Sequence, residues 1–209
     1  MRAEKMIYFF DDYKNFSAEN FLDFLPEKRR EKFEKLKIKR DKENCVVSYL
    51  LLKKVLKNFG IESFETVIGE NGKPFLKDNE NVFFNISHTG SGVVVVADKN
   101  PVGIDIQDIL EVKNGVVERC FSEKEKEMIS DSASPEKEFT RLWTLKESVV
   151  KCNAETVASL KKYCFENEEK TFRKYEKIFT TFERKNLFIS VCGTKEFFEI
   201  IEMKTEELL

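Results

Sequence analysis

In the stretch GIDIQ, residues 103–107, polar and apolar side chains alternate. On a strand this pattern puts Asp105 and Gln107 on one face, roughly 7 Å apart, and Ile104 and Ile106 on the other. Such a pair can offer oxygen ligands to a metal, or it can be the wet side of an ordinary one-sided strand. The chain has one histidine, His88, which argues strongly against a multi-histidine zinc or iron centre. A divalent site here is expected to use oxygen ligands, and that chemistry points to magnesium.

A second group lies in the helical stretch SPEKEFTRLWTLKESVVKCN. On a 3.6-residue period Phe139, Leu142, Trp143, Val149 and Val150 share one face. Lys146 falls inside that apolar stripe, while Glu147 and Lys151 lie along its edge, one turn apart. A buried cation is costly unless it meets an anion. The plain alternatives are that Lys146 snorkels to water and that Glu147–Lys151 is a surface i, i+4 pair. His88 sits in NISHTGSG, where Ser87, Thr89, Gly90, Ser91 and Gly92 would let a ligand come close. Glu125 closes the sequence Ser122-Glu123-Lys124-Glu125, which fits a capping box that only closes the helix start; an acid–base role would need a further reason.

These residues need a folded scaffold, and the composition supplies one. The chain has 209 residues, 41% hydrophobic and 35% charged, with 20 phenylalanines. That suits one large domain or two halves of about 100 residues each. Lys+Arg is 36 and Asp+Glu 38, a net charge of −2, so nothing global favours nucleic acid or membrane. The five cysteines are scattered, without a Cys-x-x-Cys pair, and read as free thiols of a reducing cytoplasm. The start, MRAEKMIYFFDD, lacks the apolar stretch of a signal peptide. No run approaches the ~18 apolar residues of a membrane span. The expectation is a cytoplasmic protein.

Along the chain, residues 5–11 read as a strand. Residues 26–42 read as a charged helix opened by Pro26, continuing over 43–59 as an apolar helix ended by Gly60. Its buried stripe is expected to be Val47, Leu50, Leu51, Val55 and Leu56. Asn71-Gly72 marks a turn. Strands follow at 82–87, 93–97 and 102–107, joined by hairpin-like links. The run VVVVA has no polar face and is expected to be a central, doubly covered strand. Two helices with caps at Ser122 and Ser134 come next, then strands within 161–168, 170–178, 180–194 and 196–203. Runs of strands alternate with runs of helices, which predicts an α+β fold. A faint echo between VFFNISHTG and NLFISVCGT suggests two related halves with a site between them.

PEKRREKF (26–33), GKPFL (72–76), FNISHTG (84–90), VGIDIQ (102–107), RCFSEKE (119–125) and WTLKESVVK (143–151) occur in one order and spacing. In this combination the chain resembles the Sfp-type 4'-phosphopantetheinyl transferases, well over residues 5–155 and weakly beyond. The resemblance implies an α+β monomer of two similar halves related by a pseudo-twofold axis, 1–101 and 102–209, with coenzyme A and Mg2+ in the cleft between them. It implies transfer of the phosphopantetheine arm of coenzyme A to a serine of an apo acyl or peptidyl carrier protein, with release of 3',5'-ADP. Under it, Asp105 and Glu147 look like magnesium carboxylates, with Gln107 at the third ligand position. Lys151 and His88, beside Ser87, look like phosphate contacts. Lys73 and Lys28 or Lys32 look like contacts to the nucleotide phosphates, and Glu125 matches a glutamate that helps deprotonate the acceptor serine.

Three departures stand out. Gln107 is neutral where an acid is frequent. Glu43-Asn44-Cys45 lacks an arginine usual in that segment. Ala154 to Leu160 lacks the glycines that often follow the last helix. The alternative function is a non-catalytic module that binds coenzyme A or a carrier protein; retention of Asp105, Glu147, Lys151 and His88 together argues against it. A nucleic-acid binder built on the basic helix is disfavoured by its interleaved glutamates.

Overall fold

A computed structural model describes residues 6–166, 169–197 and 199–209. Residue 5 of the first expected strand, residues 167–168 and residue 198 lie outside the described residues. The elements run β1 (Met6–Phe10), α1 (Glu27–Lys35), α2 (Lys39–Lys57), β2 (Thr66–Ile68), β3 (Pro74–Leu76), β4 (Phe83–His88), β5 (Val93–Asp98) and β6 (Gly103–Asp108). They continue with α3 (Asn114–Cys120), α4 (Glu123–Asp131), α5 (Pro135–Cys152), β7 (Thr171–Lys174), β8 (Lys177–Arg184), β9 (Leu187–Gly193) and β10 (Glu199–Met203). The fold is mixed α+β, as expected.

Strand alternation builds the layers. In β1, Tyr8 and Phe10 join α2 in one core, while Ile7 and Phe9 face the other way. In β5, Val93, Val95 and Ala97 look toward α2, and Val94 and Val96 join Ile7 and Phe9. That second face meets Ile104 and Ile106 of β6 and Ile189 and Val191 of β9. Two sheets therefore pack face to face, with α2 outside the first and α5 outside the second. All six residues of β5 are buried, because both faces of the strand are covered.

The sheet orders are β10-β1-β5-β4 and β6-β9-β8-β7, beside a small β2-β3 hairpin. Within each large sheet one strand sequence recurs: β1-β5-β4 and β6-β9-β8 are paired antiparallel in the same order. On this pattern β9 corresponds to β5. The sequence echo instead matched β4 with β9 and is out of step with the pairing by one strand. β10 returns to pair parallel with β1 in the first sheet, although it follows the whole second sheet in the chain.

Four local expectations are corrected. The strands expected over 170–178 and 180–194 are each interrupted by a tight turn, at Tyr175-Glu176 and Lys185-Asn186, where positive φ at Tyr175, Glu176 and Lys185 reverses the chain into the hairpins β7-β8 and β8-β9. The helix expected to run through residues 26–59 is broken at 36–38, where Leu36 and Ile38 are extended. No glycine or proline forces this. Phe33 is buried in the first core with Leu36 packed against it, and a turn in the chain lets α1 and α2 each face that core. The strand expected over 161–168 is, in its described part, the end of a 3-10 turn (Val157–Lys162) and a segment without regular structure. Its apolar residues Tyr163 and Phe165 point into the second core, which gave it a strand-like sequence.

Candidate active site

β6 is an edge strand, so its outward N–H groups need partners from elsewhere. β4, the edge of the other sheet, supplies them through side chains. Asn85 Oδ1 accepts from Ile104 N at 2.8 Å, and Ser87 Oγ accepts from Ile106 N at 3.4 Å. Ser87 Oγ also donates to Asp105 Oδ1 at 2.8 Å. The two sheets are thus stitched at the point where Asp105 stands, and the stitching residue orients its carboxylate.

The polar face of β6 does not look to water. It looks at α5, and Gly103 is the reason the helix can come so near. A Cβ at 103 would lie 2.1 Å from the Ser148 carbonyl oxygen and 2.3 Å from the Cys152 nitrogen. Thr140, Thr144 and Ser148, at i, i+4 and i+8, are the small buried residues α5 turns inward. Thr144 and Ser190 hydroxyls meet at 2.8 Å, and Ser190 is the cross-strand neighbour of Asp105. This small-residue row and Gly103 are the positioning signal that hydrophobic periodicity missed.

Close approach of α5 delivers Lys151 to Asp105. Its Nζ lies 2.5 Å from Asp105 Oδ1 and 3.1 Å from Ser87 Oγ. Asp105 is 1% exposed, and its second oxygen, Oδ2, is buried without a hydrogen-bond partner. A buried carboxylate oxygen left bare is costly. Glu147, half-buried one turn before Lys151, has its pKa raised: burial is the main cause, Asp105 adds to it and Lys151 opposes it. Gln107 is half-buried on the same strand face, two residues on. Among the described residues no three His, Cys, Asp or Glu side chains converge. The donor set is therefore two carboxylates and a nearby amide. A bare buried oxygen and an oxygen-only donor set fit a hard divalent cation that completes its shell from water and substrate.

His88 ends β4 on the surface side. Asn44 of α2 ties it down: Nδ2 donates to Thr89 O at 3.1 Å and stands 3.4 Å from His88 Nδ1, while Oδ1 accepts from the Tyr13 hydroxyl. With Nδ1 facing a donor, Nε2 carries the proton of the neutral ring. The pKa of His88 is lowered: although its surface is exposed, local desolvation is the largest cause, with Lys151 and Lys32 acting the same way and Asp41 opposing. Arg40 lies over the Tyr13 ring, 3.5 Å from its centroid, and pairs with Glu43 at 3.0 Å. It sits one turn before Asn44, so the helix face that lacks the expected arginine still carries a guanidinium. Lys28 and Lys32 are exposed on α1, with Lys28 3.8 Å from Glu65.

Three lysine and glutamate expectations land elsewhere. Lys73 is buried, and its Nζ donates to Lys151 O at 2.6 Å, Val102 O at 3.1 Å and Cys152 O at 3.3 Å. It caps the carbonyl end of α5, where a cation is favoured, rather than presenting a free ammonium to a phosphate. Glu125 does form the capping box with Ser122 and is fully buried. Oε2 accepts from Ser122 N and pairs with Lys146 Nζ at 2.9 Å, and Oε1 accepts from Phe165 N. Both oxygens are engaged, so Glu125 has no open face for an acceptor serine. Lys146, expected to meet a substrate anion or to snorkel, meets Glu125 and the carbonyls of Leu160 and Tyr163.

The missing glycines after α5 have a local solution. Ala154 takes φ 54°, Glu155 N bonds Val150 O at 2.9 Å and Ala154 N approaches Lys151 O at 3.4 Å. This is a Schellman end built on alanine. Asn71, at the tip of the β2-β3 hairpin, adds a bond to Ala154 O at 2.8 Å. The hairpin turns at Gly72, φ 81°, where the sequence signalled it.

An acidic cluster braced by a lysine, at the seam of two like-ordered sheets, defines a class when set beside known proteins. Residues 14–100 match the family model described as 4'-phosphopantetheinyl transferase, N-terminal, and residues 101–192 match that of the 4'-phosphopantetheinyl transferase superfamily. The chain belongs to this superfamily. Among curated proteins it is similar to the 4'-phosphopantetheinyl transferase Sfp of Bacillus subtilis (strain 168), 30% identical over 141 residues, 64% of this chain and 62% of that protein. It is 35% identical over 117 residues to the 4'-phosphopantetheinyl transferase gsp of Aneurinibacillus migulanus, 54% of this chain and 48% of the relative. It is 34% identical over 93 residues to the 4'-phosphopantetheinyl transferase AcpT of Salmonella typhi, 42% of this chain and 48% of the relative. The chain thus spans less than two thirds of the length of each of these relatives.

Proposed function

We propose that this protein transfers the 4'-phosphopantetheine arm of coenzyme A to a serine hydroxyl of an apo acyl or peptidyl carrier protein. The serine oxygen forms a bond to the phosphorus that carries the arm while its proton passes to water or to the leaving phosphate, the bond to the bridging pyrophosphate oxygen breaks, and 3',5'-ADP leaves. The observation that carries this reading is the bare, buried Oδ2 of Asp105 beside Glu147 and Lys151. Two carboxylates, one of them paired with a cation, suit a substrate that is both an anion and a metal ligand.

Phosphoryl displacement asks the protein mainly for position and charge neutralisation. Asp105 and Glu147 would hold Mg2+, with Gln107 as a neighbouring amide, and the bound ion would neutralise charge on the pyrophosphate. Ser87 fixes the rotamer of Asp105. Lys151 offers its ammonium to a phosphate oxygen, and His88, neutral at physiological pH, offers its Nε2–H. Lys28 and Lys32 on α1 face the nucleotide end, with Arg40 as a further cation on that side. We assign Lys73 and Glu125 to positioning: the first anchors the end of α5, the second its middle. Release of 3',5'-ADP, followed by chromatography, should require both Mg2+ and an apo carrier protein; hydrolysis of coenzyme A at the same rate without the carrier would contradict the transfer reading.

A further inference from the structure

Lys151 is placed on the charge that a metal would need. Asp105 Oδ1 is taken by Lys151 Nζ at 2.5 Å and by Ser87 Oγ at 2.8 Å, leaving only Oδ2 free. The same ammonium is one helical turn from Glu147, whose charge it also senses. The lysine side chain is 28% exposed and the aspartate 1%, so their attraction is poorly screened. With the lysine in place, Asp105, Glu147 and Lys151 carry a net charge of −1 in place of −2. A hard divalent cation has no soft ligand here to compensate, and its hold depends on that negative charge.

Resting on the reading above, we propose that Lys151 is a charge gate: it suppresses divalent-metal binding by Asp105 and Glu147 until a diphosphate draws its ammonium away. The pyrophosphate of coenzyme A supplies such an anion next to Ser87 and His88. When Lys151 pairs with it, Asp105 regains its full charge, so metal and coenzyme A bind as linked ligands. Linkage is reciprocal, and each raises the affinity for the other by the same factor.

The test uses Mn2+ as probe, its free concentration read by electron paramagnetic resonance, with the purified full chain and with or without coenzyme A. The wild type should bind Mn2+ weakly alone and at least about tenfold more tightly with coenzyme A, a unit charge at contact distance being enough for such a change. Lys151→Met and Lys151→Gln should each bind Mn2+ alone about tenfold more tightly than the wild type and show a smaller coenzyme A gain, only the part that comes from the pyrophosphate ligating the metal directly. Lys151→Arg, which keeps the cation, should stay weak alone. Thermal melting checks that each variant is folded, and the glutamine variant carries the test if the methionine variant is not. If both neutral variants bind Mn2+ alone no more tightly than the wild type, while the wild type keeps its coenzyme A gain, the gate is wrong and the metal site stands. If the wild type binds no more Mn2+ than Asp105→Asn even with coenzyme A, the metal site and the gate both fall.

Discussion

Lys146 and Glu125 form an ion pair, Nζ to Oε2 2.9 Å, in which neither side chain meets solvent. The pair joins α4 to α5, and the same groups bind the backbone at Leu160, Tyr163 and Phe165. Removing one member of a buried pair strands the other. Glu125→Ala or Lys146→Ala is therefore expected to cost roughly 3–5 kcal/mol of stability, read from urea unfolding. Turnover per folded molecule should fall far less. An unchanged unfolding midpoint with a collapsed rate would instead make Glu125 an acid–base group.

Glu147 links stability to function with opposite signs. Its pKa is raised by burial, so the folded state holds the proton more tightly than the unfolded chain. Ionising it then costs stability above both pKa values, and the cost disappears as pH falls below the unfolded value. Glu147→Gln should melt at a higher temperature than the wild type at neutral pH, with the gap closing in acid, while transfer is lost. A variant less stable at neutral pH would show that Lys151 stabilises this carboxylate more than burial penalises it.

Ala154 occupies a left-handed backbone position that costs an L-residue about 1–2 kcal/mol. Ala154→Gly should therefore stabilise the protein by about 1 kcal/mol, less the entropy glycine gains in the unfolded chain. Thermal melting reads the shift. A loss of stability would mean that the Schellman end after Cys152 is held by something other than its backbone.

Gln107 has no formal charge to give a metal. Gln107→Ala should change the Mg2+ dependence of transfer little, and Gln107→Glu should tighten it. If Gln107→Ala is as damaging as Asp105→Asn, its amide oxygen is a true third ligand.

The parts of this site that sequence exposed are those set by local rules. Alternation in GIDIQ placed Asp105 and Gln107 on one face, the all-valine run marked a doubly covered strand, and Ser122 with Glu125 spelled a capping box. What alternation could not say is what that polar face meets. Gly103 and the row Thr140, Thr144, Ser148 decide that it meets a helix, through a backbone approach with no hydrophobic signature. The partners of Lys73 and Lys146 were equally hidden. Each is a carbonyl or carboxylate distant in sequence, and a lysine in a motif reads the same whether it will hold a phosphate or a helix end. The break between α1 and α2 was invisible because core packing, not a breaker residue, causes it.

The central claim is that the Asp105–Glu147–Lys151 site transfers a phosphopantetheine arm, and intact-mass spectrometry of the acceptor tests it most directly. Incubated with Mg2+, coenzyme A and an apo carrier protein, the wild type should add one arm to the carrier, and Asp105→Asn and Glu147→Gln should add none. Transfer by Asp105→Asn at the wild-type rate, or a wild type that binds coenzyme A yet leaves acyl and peptidyl carriers at their apo mass, would contradict it.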